Sequence, residues 1–168
     1  NCIFKKNMSA LIFYLFLALF VSFICSLTEA VLLSTPQTFL GYYDGVGRHH
    51  PITFSNDRYG YVIAGQNADG VYLSDVFRYD SQEGVWVQLS DFPGGPRGYS
   101  YGVTDGIYAY MGFGSNNSGY FNDWWRYDLI NDTWEELANL PSLGRNHPAM
   151  ILCDDKIFVG MGSIDSEN

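Results

Sequence analysis

The sequence predicts an all-β protein assembled from repeated four-stranded units, and three observations carry that expectation. First, one block returns almost whole: Asp75, Phe77, Arg78, Tyr79 and Asp80 are matched 48 residues later by Asp123, Trp125, Arg126, Tyr127 and Asp128. Trp86, Leu89 and Pro93 recur at the same spacing as Trp134, Leu137 and Pro141. Second, Arg48, Arg97 and Arg145 lie 49 and 48 residues apart. Each is followed 13 positions on by an aromatic residue (Tyr61, Tyr110, Phe158) and 17 on by a glycine (Gly65, Gly114, Gly162). Third, 18 Gly, 13 Tyr and 12 Phe among 168 residues of which 16% are charged suit short strands and tight turns rather than helical bundles. A period near 50 residues with four strands per copy describes a β-propeller, one blade per copy. Two copies and about half of a third are present, so the ring is incomplete.

Residues 1–30 stand apart from the repeat. Lys5 and Lys6 precede an apolar run from Ala10 to Leu27 broken only by Ser22 and Ser26, and Thr28-Glu29-Ala30 offers small residues where a signal peptidase reads. These features describe a secretory signal peptide, or a signal anchor if the segment is left uncleaved. Either way the rest of the chain is delivered across the membrane, with the basic end held in the cytosol. Met8, just before the apolar run, is an alternative start.

Residues 31–47 read as the tail of a repeat or as a linker. Leu40 falls under Leu137 and Gly47 under Gly144, 97 residues upstream, while Gln37 stands in place of Trp134. A strand over 34–41 would close the ring by pairing into the last blade, which removes an open edge. The first full copy, 48–96, reads as a hairpin of 50–54 and 61–65 turning at Asn56-Asp57, a polar connection 66–74, then strands 75–79 and 85–89. Phe92-Pro93-Gly94-Gly95-Pro96 carries the chain to the next copy. The second, 97–144, repeats this with strands 99–103 and 107–111 about Asp105-Gly106, a connection 114–120, and strands 124–127 and 133–137 about Asn131-Asp132. The third, 145–168, supplies strands 148–152 and 156–160 about Asp154-Asp155. Because a ring needs about four blades or more, the chain reads as the amino-terminal part of a longer protein.

Over 48–162 the chain resembles the kelch-repeat β-propeller family, including the central domain of galactose-oxidase-like proteins. The motif is a glycine pair ending the second strand, then a spaced Tyr and Trp, met here by Tyr79/Trp86 and Tyr127/Trp134. The pair itself departs from the pattern: the copies carry Gly65 alone, Gly112-Phe113-Gly114 and Gly160-Met161-Gly162. Propeller geometry gives these residues structural roles. The Tyr and Trp rings fill wedges between blades, the glycines permit a tight turn, and the arginines bond carbonyl or carboxylate oxygens of neighbouring blades.

The candidate ligand residues stand two positions after each arginine: His50, Tyr99 and His147. Their equivalence places them at the entrance of the innermost strands, where the resemblance implies the mouth of a central channel. They serve there either as inter-blade packing or as hydrogen-bonding groups for a sugar or a peptide carboxylate. One ligand per blade spaces these groups too far apart for a shared metal, so neither metal nor cofactor is expected. The net charge of −9, or −10 from 7 basic and 17 acidic residues once 1–30 are removed, argues against nucleic acid as a partner. Cys153 is the one cysteine beyond the signal, and Asn116 and Asn131 head glycosylation sequons in loops. The expected function is an extracytoplasmic module binding a protein or glycan. The alternative is a secreted carbohydrate-active propeller enzyme of the galactose-oxidase or sialate-epimerase kind, completed by further sequence. No nucleophile motif or phosphate loop accompanies the repeats.

Overall fold

The computed structural model describes residues 42–164, which hold strands and turns and no helix. The first blade contains β1 (Arg48–His49), β2 (Ile52–Ser55), β3 (Tyr59–Asn67), β4 (Tyr72–Asp80) and β5 (Val85–Leu89). Strands β2 to β5 form the antiparallel ladder, and β1 pairs with the far end of β3. The second contains β6 (Tyr101–Thr104), β7 (Tyr108–Gly112), the short hairpin β8 (Ser115–Asn116) and β9 (Gly119–Tyr120), then β10 (Trp124–Asp128) and β11 (Thr133–Leu137). Its sheet runs β11-β10-β7-β6. The third contributes β12 (Arg145–Asn146), the hairpin β13 (Ala149–Cys153) with β14 (Lys156–Gly160), and β15 (Ser163–Ile164) paired to β12. The ring is not closed among these residues.

One expectation shifts. The connection expected over 66–74 is mostly strand: Gln66 and Asn67 complete β3, and Tyr72 to Ser74 begin β4. The Asn67 side chain accepts from the Asp69 and Val71 amides (3.0 and 2.8 Å) and holds the turn tightly enough for the ladder to continue. Residues 42–47 form no strand; the proposed closing strand over 34–41 and the 1–30 segment lie outside the described residues.

The main core lies between the first and second blades. Ile52, Tyr61, Ile63 and Val76 of one meet Ala109, Met111 and Tyr127 of the other, with Phe92 of the connection wedged beside them. Strand alternation sends Met111, Trp125, Tyr127 and Trp134 to the face that looks back at the preceding blade, while Trp124 goes to the opposite face. Tyr127 stacks on Trp134 (centroids 4.2 Å, 21°), and Phe92 abuts Trp125 and Trp134 at 5.6 and 5.0 Å. Tyr43 repeats the arrangement one blade earlier, edge-on to Phe77 at 5.0 Å and Trp86 at 4.9 Å. Tyr43, Phe92 and Leu140 each stand five residues before a repeat arginine. They form a further repeated position, an apolar wedge at the entry to each blade.

Candidate functional site

The backbone at the inner end of each blade is built on two left-handed turns that recur in every copy. His50, Tyr99 and His147 have φ of 52°, 61° and 51°. Ala64, Phe113 and Met161 have φ of 57°, 62° and 60°, and each is followed by a glycine also at positive φ: Gly65, Gly114 and Gly162. The incomplete glycine pair now has an explanation, since the first position needs only a residue that tolerates φ near 60°. The second needs glycine for space as well: a Cβ on Gly114 would lie 2.4 Å from the Gly98 carbonyl oxygen.

The repeat arginines stabilise these turns. Arg97 Nη1 donates to the Phe113 carbonyl (3.1 Å) and to Asp123 Oδ1 (2.6 Å), and Nη2 donates to Asp123 Oδ2 (2.8 Å) and the Gly94 carbonyl. Arg48 treats Ala64 and Asp75 the same way, and Arg145 donates to the Met161 carbonyl at 2.8 Å. The guanidinium therefore binds chiefly within its own blade, and for Arg97 the Gly94 carbonyl of the preceding copy is the side-chain link to the neighbour that was expected. The main chain around it makes the crossing as well: Gly65 N donates to the Arg97 carbonyl (2.7 Å) and Gly114 N to the Arg145 carbonyl (2.8 Å). A bulge carbonyl turned outward by positive φ would otherwise lack a partner, and a planar cation with several donors meets that need and the aspartate together.

The two turns bring the candidate ligand residues together. Tyr99 N donates to the His50 carbonyl (3.2 Å) and His147 N to the Tyr99 carbonyl (2.9 Å), so the three positions are strung along one line of inter-blade bonds. Their rings gather at that line. His50 lies 4.3 Å from Tyr99 and 5.2 Å from His147, and Tyr99 lies 5.2 Å from His147, centroid to centroid. The wide spread expected from one residue per blade is thus not what the fold produces. His49 joins the group, with Nδ1 2.6 Å from His50 Nδ1, as do Tyr101, whose hydroxyl is 3.3 Å from His147 Nδ1, and Gln66, which accepts from the Tyr99 hydroxyl at 3.4 Å. The three histidines are solvent-exposed and Tyr99 is half-buried. Burial first, then the neighbouring His49 and His147, hold His50 below the ordinary histidine range. No group of three or more His, Cys, Asp or Glu side chains among the described residues is arranged to hold a metal ion.

The repeat makes this group of rings intelligible, and the chain has the kelch-repeat β-propeller fold. The Kelch motif family model matches residues 61–93. The solved structure of YjhT, a kelch-type propeller, superposes with a TM-score of 0.63 at 19% identity, covering 73% of this chain and 47% of that one. The chain thus spans about half the length of that structure. No curated protein matches it.

The kelch arc also holds features away from the mouth. A cleft of about 410 Å³ opens between the second and third blades, lined by Phe113, Trp124, Leu140, Pro141, Ile157 and Val159. It is the wedge that Trp125 and Trp134 fill against Phe92 one blade earlier, so it is a blade-packing space. Cys153 is an exposed free thiol. Asn131 is exposed in the β10–β11 turn, whereas Asn116 is half-buried and donates its amide to the Pro96 carbonyl at 2.9 Å. Sequence reasoning missed His49, Tyr101 and Gln66. The adjacent pair His49-His50 was visible, but neither Tyr101 nor Gln66 occupies the repeated position that singled out the others.

Proposed function

We propose that the protein is an extracytoplasmic kelch propeller whose inner mouth binds a protein or glycan ligand through His50, Tyr99 and His147. The observation that carries this reading is the meeting of those rings on one line of inter-blade bonds. All three are hydrogen-bonding and the two histidines are exposed, in a fold whose other repeated polar residues are consumed by internal bonds. Had the position served only to seal the blades, apolar side chains would do so without leaving imidazole nitrogens to be satisfied. Lys5, Lys6, the run Ala10–Leu27 and the exit Thr28-Glu29-Ala30 support delivery across a membrane.

The test starts from a panel of glycans and peptides applied to the whole protein. The triple variant His50→Ala, Tyr99→Ala, His147→Ala should lose binding to any hit while keeping the parent's urea midpoint. Single changes should weaken affinity about fivefold, for a lost hydrogen bond of about 1 kcal/mol. Undiminished affinity in a folded triple variant would refute the mouth and direct attention to the groove lined by Val71, Tyr72, Pro96 and Asn116. For localisation, amino-terminal sequencing of protein recovered from the medium should begin at or near Val31. Recovery only from the cytosol would overturn that part.

A further inference from the structure

We propose that the mouth is a proton-coupled anion site, in which His49, His50 and His147 take up protons together and hold a carboxylate between them. This rests on the mouth reading above and specifies its ligand chemistry. The chain has three histidines in all, and the fold gathers every one of them at this point although His147 lies 97 residues beyond His50. A cluster of this kind in a chain of net charge −9 is a local reversal of the protein's overall electrostatic sign once it is protonated.

Among the described residues no carboxylate is paired with it. The ion pairs among the described residues join Arg48 to Asp75, Arg58 to Asp80, Arg97 to Asp123, Arg126 to Glu135 and Lys156 to Asp155, and none of these involves a histidine. Among the described residues, the side chains that touch the rings are Tyr99 and Tyr101 from the second blade and Gln66 from β3, and none of them is a carboxylate. Protonating two neighbouring imidazoles therefore costs mutual repulsion, in keeping with the direction in which His49 and His147 move His50. A carboxylate seated among the rings removes that repulsion and accepts N–H bonds from both sides. Binding and proton uptake then favour each other, and capture must strengthen as pH falls through the histidine range. The tyrosine hydroxyls add neutral donors that keep a weaker contact at higher pH.

Acetate is the probe and acetamide its uncharged control, applied to the 168-residue chain while the histidine ring proton resonances are followed between pH 5 and 8. Acetate should raise the apparent titration midpoint of His50 and bind at least about tenfold more tightly at pH 5.5 than at 7.5, the change that uptake of a single proton already gives. Acetamide should do neither. His50→Gln and His147→Gln, which keep a polar side chain, should each flatten the pH dependence without moving the urea midpoint. Glucuronate and N-acetylglycine in place of acetate distinguish a sugar acid from a peptide terminus as the source of the carboxylate. Equal acetate affinity at both pH values, an equal response to acetamide, or an unaltered response in both Gln variants would overturn the proposal. A neutral ligand that needs His50, Tyr99 and His147, with acetate inert, would sink the anion site and leave the mouth standing. An acetate response alongside neutral ligands indifferent to the triple variant would do the reverse.

Discussion

The first and second blades carry the same aromatic pair and bury it differently. Tyr127 is 1% exposed, stacked on Trp134 and set edge-on to Tyr61 of the preceding blade at 6.1 Å. Its counterpart Tyr79 is half-buried beside Trp86, and what approaches that pair is Tyr43 from the entering chain. Both pairs sit on the same face of equivalent ladders, Tyr79 opposite Trp86 and Tyr127 opposite Trp134. The repeat thus defines a socket within each blade, and the neighbour decides how much area the socket removes from water. Since stabilisation follows area removed, equal residues should contribute unequally in the two blades.

The arginines give the largest effect. Arg97→Ala should cost about 3–5 kcal/mol, because it leaves the Phe113 carbonyl without its side-chain donor and Asp123 with the Trp125 indole in place of a counter-charge, in a dry setting where Phe92 and Phe121 flank the guanidinium at 5.0 and 4.0 Å. Arg48→Ala, with Tyr43 and Phe77 more distant at 5.3 and 5.8 Å, should cost about 2 kcal/mol by the same mechanism. Urea unfolding of the two variants side by side measures both, and equal losses would break the comparison. Next come the tryptophans: Trp134→Ala should lose about 3 kcal/mol and Trp86→Ala about half of that, read from the same midpoints.

Glycine substitutions sharpen the comparison at the bulge. Both Gly65 and Gly114 hold positive φ, but an added Cβ meets the Gly98 carbonyl oxygen at 2.4 Å in the second blade and the His49 carbonyl oxygen at 3.0 Å in the first. Gly114→Ala should therefore destabilise by more than about 1 kcal/mol and exceed Gly65→Ala. The smallest expected effect is electrostatic. Arg58 hydrogen bonds, followed by the Gln82 and Glu83 amides, hold the Asp80 carboxyl down at about 2, whereas its counterpart Asp128 is lowered chiefly by Asn131. A folded-state value below the ordinary 3.8 contributes stability above that pH, which is lost as pH falls from there through about 2. Asp80→Asn should therefore flatten the decline in urea midpoint between pH 5 and pH 2.5, and more so than Asp128→Asn. An identical acid limb in parent and Asp80→Asn would show that the Arg58 contact does not hold in solution.

Much of the fold was legible because a blade is a local object. Hairpins about Asn56-Asp57 and Asp105-Gly106, the strand pair 124–127 and 133–137, and the turn glycine 17 residues after each arginine depend on contacts within about 50 residues of chain. Period and turn chemistry read those directly. The Asp of each Tyr-Asp pair belongs here too: Asp80 accepts from the Gln82 amide and Asp128 from the Ile130 amide, each at 2.9 Å, which closes the next turn. Even the wedge residues Tyr43 and Phe92 keep the register, although an aromatic five positions before an arginine carries no meaning until Trp86 and Trp134 are seen against it.

Sequence alone therefore determined the repeat, its strands and the equivalence of His50, Tyr99 and His147. Tertiary structure decided what equivalence could not. It turned the arginine side chains mainly into their own blades, with Arg97 also reaching the Gly94 carbonyl of the preceding copy, and the Tyr and Trp rings toward the preceding blade. It also set the histidine and tyrosine rings within 4.3 to 5.2 Å of each other and added His49, Tyr101 and Gln66 beside them. The reason is geometric. Spacing along a chain records which positions correspond, but the distance between corresponding side chains depends on how closely one blade packs on the next. That closeness is set by Tyr61, Phe92, Met111 and Tyr127 in the wedge and by the Gly65 and Gly114 amides that bond across it.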